Sequence, residues 1–480
     1  MKAPLICATL MLAACAGAIR PLATAPAATA KPAAAPAASE LPPLVLPADS
    51  DDGAGAGARA NAVQVAEVPV TVLPTIIGHR SIPGNSSVRP AGGLARDDND
   101  QTVRIALALG RVSVRLYATG GWSIYDGTSR ALLARVGASD TVTVDTRDGS
   151  MVATGIPMGP VRGPMIARPS DGDALIVFDG HRYRGEIAIA RAGEALSVIN
   201  RIGVESYLRG VVPLEIGTDR TIAESAAVEA QAIAARNYSY THMDDTRPYD
   251  MLATTADQVY GGADAERPLS DAAVRATRNM VMMYGGKVIN APYHSNSGGV
   301  TASASEVWRS GDEPYLVSVS DRIPGTDHFY GEESPRFHWT RTLDEASLST
   351  LLDRYLPQYS SAPRGGVGRL QKIEESGRTP SGRVAGLIFT TDRGSFPVRG
   401  NDARLILRST AGELLPSTLF TIEQSKGSDG HVTQITIRGS GNGHGVGMDQ
   451  WGAISRARAG QDALTILRAY YPGTTIGRVI

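Results

Sequence analysis

The sequence predicts an α+β fold, with a β-rich N-terminal part, a mixed α/β core and a β-rich insertion within that core. Three observations carry this expectation. Residues 65–200 alternate apolar and polar side chains between glycine pairs and Asp-Gly turns, an Ala-rich run after Thr221 has helical propensity and length, and residues 336–438 return to short alternating runs. The chain has 480 residues, 42% hydrophobic and 20% charged, enough to bury a sizeable core. Its formal net charge of -1 provides no basic face, so no nucleic-acid partner is expected. Both cysteines, Cys7 and Cys15, lie in the first fifteen residues, which excludes a disulfide framework and a cysteine-ligated metal site from the body.

Residues 1–14 read as a signal peptide: one positive residue, Lys2, precedes an apolar stretch from Leu5 to Ala14 that is too short to span a bilayer. Leu12-Ala13-Ala14-Cys15 resembles the bacterial lipobox, in which the cysteine is acylated and becomes the mature N-terminus. The alternative is an ordinary secretory peptide with a chance cysteine. Lipid on Cys15 would anchor the protein to a membrane at ~0.8 kcal/mol per buried methylene. Ala16, in place of an aspartate, implies the outer membrane of a Gram-negative cell and hence a periplasmic body. Residues 15–64 are rich in Ala and Pro, and prolines such as Pro21, Pro26, Pro32 and Pro36 interrupt any helix, so this segment reads as an extended tether. A tethered body implies a target away from the membrane surface, such as the cell wall.

In the body, Val103 to Leu107 and Val112 to Leu116 alternate as strands do, Ile187 to Ile199 continues the pattern, and Ile202 to Ile216 reads as a further alternating run. Thr221-Ile222-Ala223-Glu224 forms a capping-box pattern that opens a helix to about His242. A second helix is expected from Ser270 to Met283, then a Gly285-Gly286 turn and a strand from Lys287 to Tyr293. A short helix from Leu343 to Tyr355 precedes several strands, and the last forty residues open on a glycine-rich turn and close with a helix from Gln461 to Tyr470. The resulting divisions are 65–200, 201–335, 336–438 and 439–480.

Glu215 interrupts the apolar run Val211-Val212-Pro213-Leu214-Glu215-Ile216. Apolar surroundings would raise its pKa toward the range of a general acid. At a period of two, however, Val212, Leu214 and Ile216 face the core and Glu215 faces water. Arg236, late in the Ala-rich helix, either orients a carboxylate or complements the helix dipole. Tyr293-His294-Ser295-Asn296-Ser297-Gly298-Gly299 gathers a histidine and two hydroxyls, yet the chain has no G-x-S-x-G or S-x-x-K motif, so a Ser-turn reading competes with a Ser-His pair. No H-E-x-x-H spacing supports a metal hydrolase. Gly439 to Met448 alternates glycines around His444, which permits close approach of a backbone or a flat ligand. Nine of the sixteen tyrosines lie from Tyr207 to Tyr330, and tyrosine suits both sugar rings and buried packing.

These pieces together resemble the SpoIID/LytB family, the sporulation stage II protein D group of lytic transglycosylases and amidase enhancers. The resemblance is carried by Tyr183-Arg184-Gly185, Glu205 to Glu215, Glu229 to Arg236, Asp257 to Gly262, Tyr293 to Gly299, Glu306-Val307-Trp308, Gly443 to Ala453 and Tyr470 to Thr474. It implies a SpoIID-like core interrupted by the β-rich insertion. It also implies that Glu215 is the catalytic acid and base that cleaves the linkage between N-acetylmuramic acid and N-acetylglucosamine, leaving a 1,6-anhydro end. Arg236, His294 and Ser297 fall where the family places supporting groups, and Tyr293, His444 and Lys287 are further candidates for holding substrate. Two departures stand out. Ile216-Gly217-Thr218-Asp219-Arg220-Thr221 follows Glu215, whereas the family usually reads Glu-Met-Pro there and reaches its arginine sooner. Some relatives bind zinc through a cysteine and a second histidine near the His-Ser segment, but Asn296 or Ser297 and Val300 occupy those places here, so no zinc and no other cofactor is expected.

The expected protein is therefore a lyase acting on peptidoglycan glycan strands, with stem peptides already removed. A glycan-binding enhancer of a cell-wall amidase is the alternative, and a serine hydrolase using Ser295 or Ser297 with His294 is a third.

Overall fold

The computed structural model describes residues 65–67, 101–309 and 311–479; the signal peptide, Cys15 and the tether lie outside the described residues. The fold is α+β. Two antiparallel-rich sheets form the N-terminal part. A seven-stranded sheet is ordered Met251–Leu252, Thr102–Arg111, Ala195–Gly203, Glu186–Ala192, Met165–Pro169, Trp122–Asp126 and Leu132–Val136. A five-stranded sheet is ordered His181–Tyr183, Ile176–Phe178, Ser113–Ala118, Val142–Arg147 and Ser150–Thr154. Their inner faces share one core: Val103, Ile105, Leu196 and Val198 meet Val114, Leu116, Val144 and Ile176. Period-two burial in Ser113–Ala118, exposed and buried in strict alternation, gives that strand its two faces.

The strand Ala195–Gly203 runs directly into helix α1, Val204–Ile216. Here the structure departs from the strand expected over 202–216. Val204, Tyr207, Leu208, Val211 and Val212 are all buried, and their spacing is that of one helix face; the run satisfies a period of 3.6 better than a period of two. Gly210 allows α1 to pack closely, since a Cβ there would lie 2.6 Å from the Tyr260 ring and 2.7 Å from the Gly262 carbonyl. Thr221 and Glu224 form the expected capping box on a short 3-10 turn, which leads into α2, Ser225–His242. Helix α2 is buried on most of its surface, consistent with its alanines: it is the central helix of the core.

Helix α3, Pro268–Ala276, ends before the expected Met283 because Asn279 adopts a left-handed conformation (φ 60) and Met280–Tyr284 becomes a buried strand. That strand pairs with Thr475–Val479, which also pairs with Val65–Glu67. The strand expected over 287–293 is two short pieces, Lys287–Val288 and Tyr293–His294, with Pro292 between them. A single-turn helix, α4, spans Ala304–Val307.

The inserted region builds its own core. Helix α5, Glu345–Tyr359, and helix α6, Gly400–Ile406, pack with two three-stranded sheets through Leu348, Leu352, Leu387, Phe389, Ile406 and Ile435. The chain then returns to the first core as Met448–Asp449, parallel to Tyr293–His294, with Tyr293 opposite Met448 and His294 opposite Asp449. Helix α7, Gln450–Arg458, was not legible in the sequence; helix α8, Ala463–Tyr470, closes the core close to its expected place. Among the described residues no helix is long and apolar enough to cross a membrane.

Candidate active site

Glu215 lies in the last turn of α1, half-buried, with neighbours brought in from distant segments. The Val259 backbone N–H donates to its Oε1 at 2.7 Å, and the nearby Gln450 amide, whose Nε2 donates to Gln231 Oε1 at 3.2 Å, also favours the charged carboxyl. Burial pushes its pKa up to about 7, while the Val259 N–H and the Gln450 amide hold it down in part. The last turn of a helix adds to the effect in sign, because the negative end of the dipole disfavours a carboxylate. No Lys, Arg or His is among the groups that set its acidity.

Three tyrosines surround this carboxyl. Tyr207 from α1, Tyr238 from α2 and Tyr293 from the short strand all have their pKa raised, first by burial, then by the nearby Glu215 for Tyr207 and Tyr293 and by Asp257 ahead of Glu215 for Tyr238. Their hydroxyls are fixed by a small amide network. Tyr207 donates to Gln258 Oε1 at 3.1 Å, Gln258 Nε2 donates to the Tyr293 hydroxyl at 3.0 Å, and Tyr238 donates to Asp257 Oδ1 at 3.1 Å. The result is a polar wall, with Asp257 behind Tyr238, beside a carboxyl able to hold or lose a proton near neutral pH. Such a wall supplies ring faces and hydroxyls of the kind a saccharide needs.

The other sequence candidates divide. Tyr293 is in this wall. Arg236 is not: it is fully buried and grips Glu205 with Nε and Nη2, both at 2.8 Å, while Nη1 donates to the Met280 carbonyl at 3.1 Å. Glu205 lies ten residues before Glu215 on α1, about 15 Å along the axis at helical rise. Lys287 is exposed at the tip of the hairpin formed by Met280–Tyr284 and Lys287–Val288, outside the site.

His294 and His444 meet each other with ring centroids 5.5 Å apart, and the Trp308 ring lies 5.1 Å from His444. Burial pushes both histidines down, His444 to about 3, so both are neutral. His294 Nδ1 is 3.1 Å from the Val446 carbonyl, and its buried Nε2 has no hydrogen-bond partner. The Ser297 hydroxyl donates to Asp321 at 3.1 Å instead of pairing with His294, and the Ser297 N–H donates to Asp449 Oδ2 at 2.7 Å. This arrangement does not form a Ser-His nucleophile. The Asn296 amide donates to the Gly331 carbonyl at 3.0 Å, Ser297 is committed to Asp321, and Val300 carries no side-chain donor.

Beneath the glycine-rich loop, Asp321 and Asp449 are both buried, with Arg456 donating to Asp321 at 3.0 Å and the Tyr470 hydroxyl at 2.8 Å. Burial first, and Asp321 second, push Asp449 up to about 8. This network, Gln258 and Gln450 escaped the sequence reading. Gln258, Asp449 and Gln450 were present only as polar residues inside blocks otherwise read for their glycines and tyrosines, and Asp321 and Arg456 lie outside those blocks.

With this geometry in place, similarity to known proteins becomes informative. Residues 192–284 match the stage II sporulation protein (SpoIID) family, and that span holds α1, Glu215, α2 and the Val259 donor. Residues 192–284 thus form a SpoIID-family domain. It is 32% identical over 300 residues to the amidase enhancer of Bacillus subtilis, covering 56% of this chain and 40% of that protein. It is 28% identical over 295 residues to the stage II sporulation protein D of Bacillus subtilis, covering 58% of this chain and 75% of that protein. An uncharacterized protein of Brachyspira hyodysenteriae is 28% identical over 382 residues, 79% of this chain and 93% of that protein. The chain thus spans about two fifths of the length of the amidase enhancer. Residues 323–447 match a separate domain of unknown function, which begins after the SpoIID match ends.

Proposed function

We propose that this protein is a peptidoglycan lytic transglycosylase in which Glu215 is both acid and base. The protonated carboxyl gives its proton to the glycosidic oxygen as the bond from C1 of N-acetylmuramic acid to that oxygen breaks. The resulting carboxylate then takes the proton of the C6 hydroxyl on the same sugar as O6 bonds to C1, leaving a 1,6-anhydro end and restoring the acid with no water consumed. One carboxyl suffices for both half-steps, so no second acid at glycosidase separation is required. The observation that carries the reading is the Glu215 carboxyl: pushed up to about 7 by burial, held by the Val259 N–H beside the Gln450 amide, and faced by three neutral tyrosines. Near that pKa both protonation states are populated at neutral pH, as alternating acid and base roles demand.

Peptide-stripped strands are the proposed substrate, and anchorage through Cys15 in the outer membrane would place the protein in the periplasm beside them. The test is mass spectrometry of amidase-treated glycan strands incubated with the soluble body. Anhydro ends should form with the native protein and fall by at least ~100-fold with Glu215→Gln, the scale of losing an essential proton donor. Ends that have gained water would replace this reading with hydrolysis. A second reading, enhancement of a cell-wall amidase, is favoured by the 32% identity to a protein named for that activity. It predicts retained glycan binding and amidase stimulation in Glu215→Gln, with no anhydro ends from either form.

A further inference from the structure

Three consecutive residues each hold a part of the wall around Glu215. The Tyr238 hydroxyl donates to Asp257 Oδ1 at 3.1 Å, the Val259 N–H donates to Glu215 Oε1 at 2.7 Å, and Gln258 between them bonds both remaining tyrosines. Gln258 and Tyr207 are fully buried, whereas Tyr293 is half-buried. The Gln258 amide is engaged on both sides. Its Oε1 lies 3.1 Å from the Tyr207 hydroxyl and 3.2 Å from the Ser239 hydroxyl, and its Nε2 lies 3.3 Å from the Ala235 carbonyl and 3.0 Å from the Tyr293 hydroxyl. A buried amide so engaged is held in one orientation.

The Ala235 carbonyl decides which way that amide faces. A carbonyl oxygen only accepts, so the side of the amide beside it is the NH2 group; turned over, the amide oxygen would meet the Ala235 oxygen lone pair to lone pair. The consequence falls on the tyrosines. With its oxygen toward Tyr207, Gln258 takes the Tyr207 proton, and with its nitrogen toward Tyr293 it gives a proton to that hydroxyl and takes none. Tyr238 gives its own proton to Asp257. Of the three hydroxyls, that of Tyr293 alone keeps a proton to offer, and no acceptor among the described residues takes it. A hydroxyl that accepts one bond is polarised into a better donor for the next.

We propose that Gln258 is a positioning residue that leaves the Tyr293 O–H free to donate to an acceptor oxygen of the bound glycan. Sugars supply such acceptors in their hydroxyl, ring and acetamido carbonyl oxygens. Tyr207, fully buried with its proton spent on Gln258, supports the wall from behind, and Tyr293 is the member that reads the saccharide. Donor and acid are set by one residue: the peptide bond joining Gln258 to Val259 carries the N–H that holds Glu215 Oε1, while the Gln258 side chain holds the Tyr293 hydroxyl. This rests on the reading of the site as one for glycan strands.

Binding of amidase-treated glycan strands to the full-length protein, in a Glu215→Gln background that prevents turnover, reads the donor apart from the chemistry. Tyr293→Phe should weaken binding by about 5–10-fold, the size of one hydrogen bond. Gln258→Met should match it, and the double variant should go no further, because both changes remove the same bond to the glycan. Gln258→Asn, too short to reach both tyrosines, decides the matter if Gln258→Met does not fold. Tyr207→Phe removes a hydroxyl with no proton left for the glycan, so it should lower the melting temperature and weaken binding less than Tyr293→Phe does. Unchanged affinity in Tyr293→Phe, additive losses in the double variant, or equal losses from the two tyrosine variants overturns the proposal. Binding in the expected order with no anhydro ends from the native protein would sink the transglycosylase reading and leave this one standing, whereas no glycan binding at all would sink both.

Discussion

The two ends of α1 carry the same residue type in opposite circumstances. Glu205, in the first turn, is buried and meets Arg236 in a two-bond pair, with the Asn279 N–H as a further donor at 3.1 Å. Glu215, in the last turn, accepts from the Val259 N–H and has neutral polar neighbours and no cation, and burial pushes it up to about 7. Burial by itself therefore assigns neither residue a role. The counter-charge does: where it is supplied, the carboxylate is a strut between helices, and where it is withheld, the group becomes a proton reservoir.

The largest effect expected from this contrast is on stability at the first-turn end. Arg236→Met leaves Glu205 buried without its cation and should cost about 3–5 kcal/mol in urea unfolding. Replacing both, as Glu205→Leu with Arg236→Met, should recover most of the loss because no charge is then stranded. A loss under about 1 kcal/mol in the single variant would break the comparison and return Arg236 to the candidates for the site itself.

At the other end the expected effect is smaller and depends on pH. A carboxyl with a folded-state pKa above its unfolded value binds its proton more tightly in the folded state. Its favourable contribution is complete below the usual 4.5 and is lost as pH rises through about 7. Glu215→Gln removes that dependence. The variant should match native stability near pH 4 and exceed it at pH 8, by an amount on the order of 1–3 kcal/mol after allowance for partial solvent contact. Equal stability curves across that range would mean that Glu215 ionises as an ordinary surface carboxylate.

The sequence made some of this legible and hid the rest for identifiable reasons. Strict alternation in Ser113–Ala118 and the capping box at Thr221–Glu224 are local patterns, and local patterns survive into the fold. Helix α1 was misread because Val211-Val212-Pro213-Leu214-Glu215-Ile216 fits a period of two over six residues, while its helical face emerges only over the span from Val204 to Val212. Helix α7 was missed because its burial comes from small and polar residues, including Gln450 and Arg456, with little apolar periodicity to read. The surroundings of Glu215 were beyond any local pattern: the Val259 donor lies 44 residues away, and Gln450 follows the whole inserted module. Arg236 was visible as a residue, but its partner Glu205 is 31 residues distant, so its choice between site and strut was a tertiary matter.

The smallest expected effect concerns Lys287, a sequence candidate for holding substrate that lies outside the site. It is exposed at the end of a two-residue hairpin pairing, Tyr284 opposite Lys287, with left-handed Gly285 and Gly286 between them. A long cationic side chain at such a tip is solvated and makes no contact that folding or the site requires. Lys287→Ala should change unfolding free energy by less than about 0.5 kcal/mol and anhydro-end formation by less than about twofold. Because the Glu215 environment draws its character from lacking a cation, a Lys287 substitution that shifted the Glu215 titration would show that a positive charge does reach the site, and the distinction between the two ends of α1 would be one of degree.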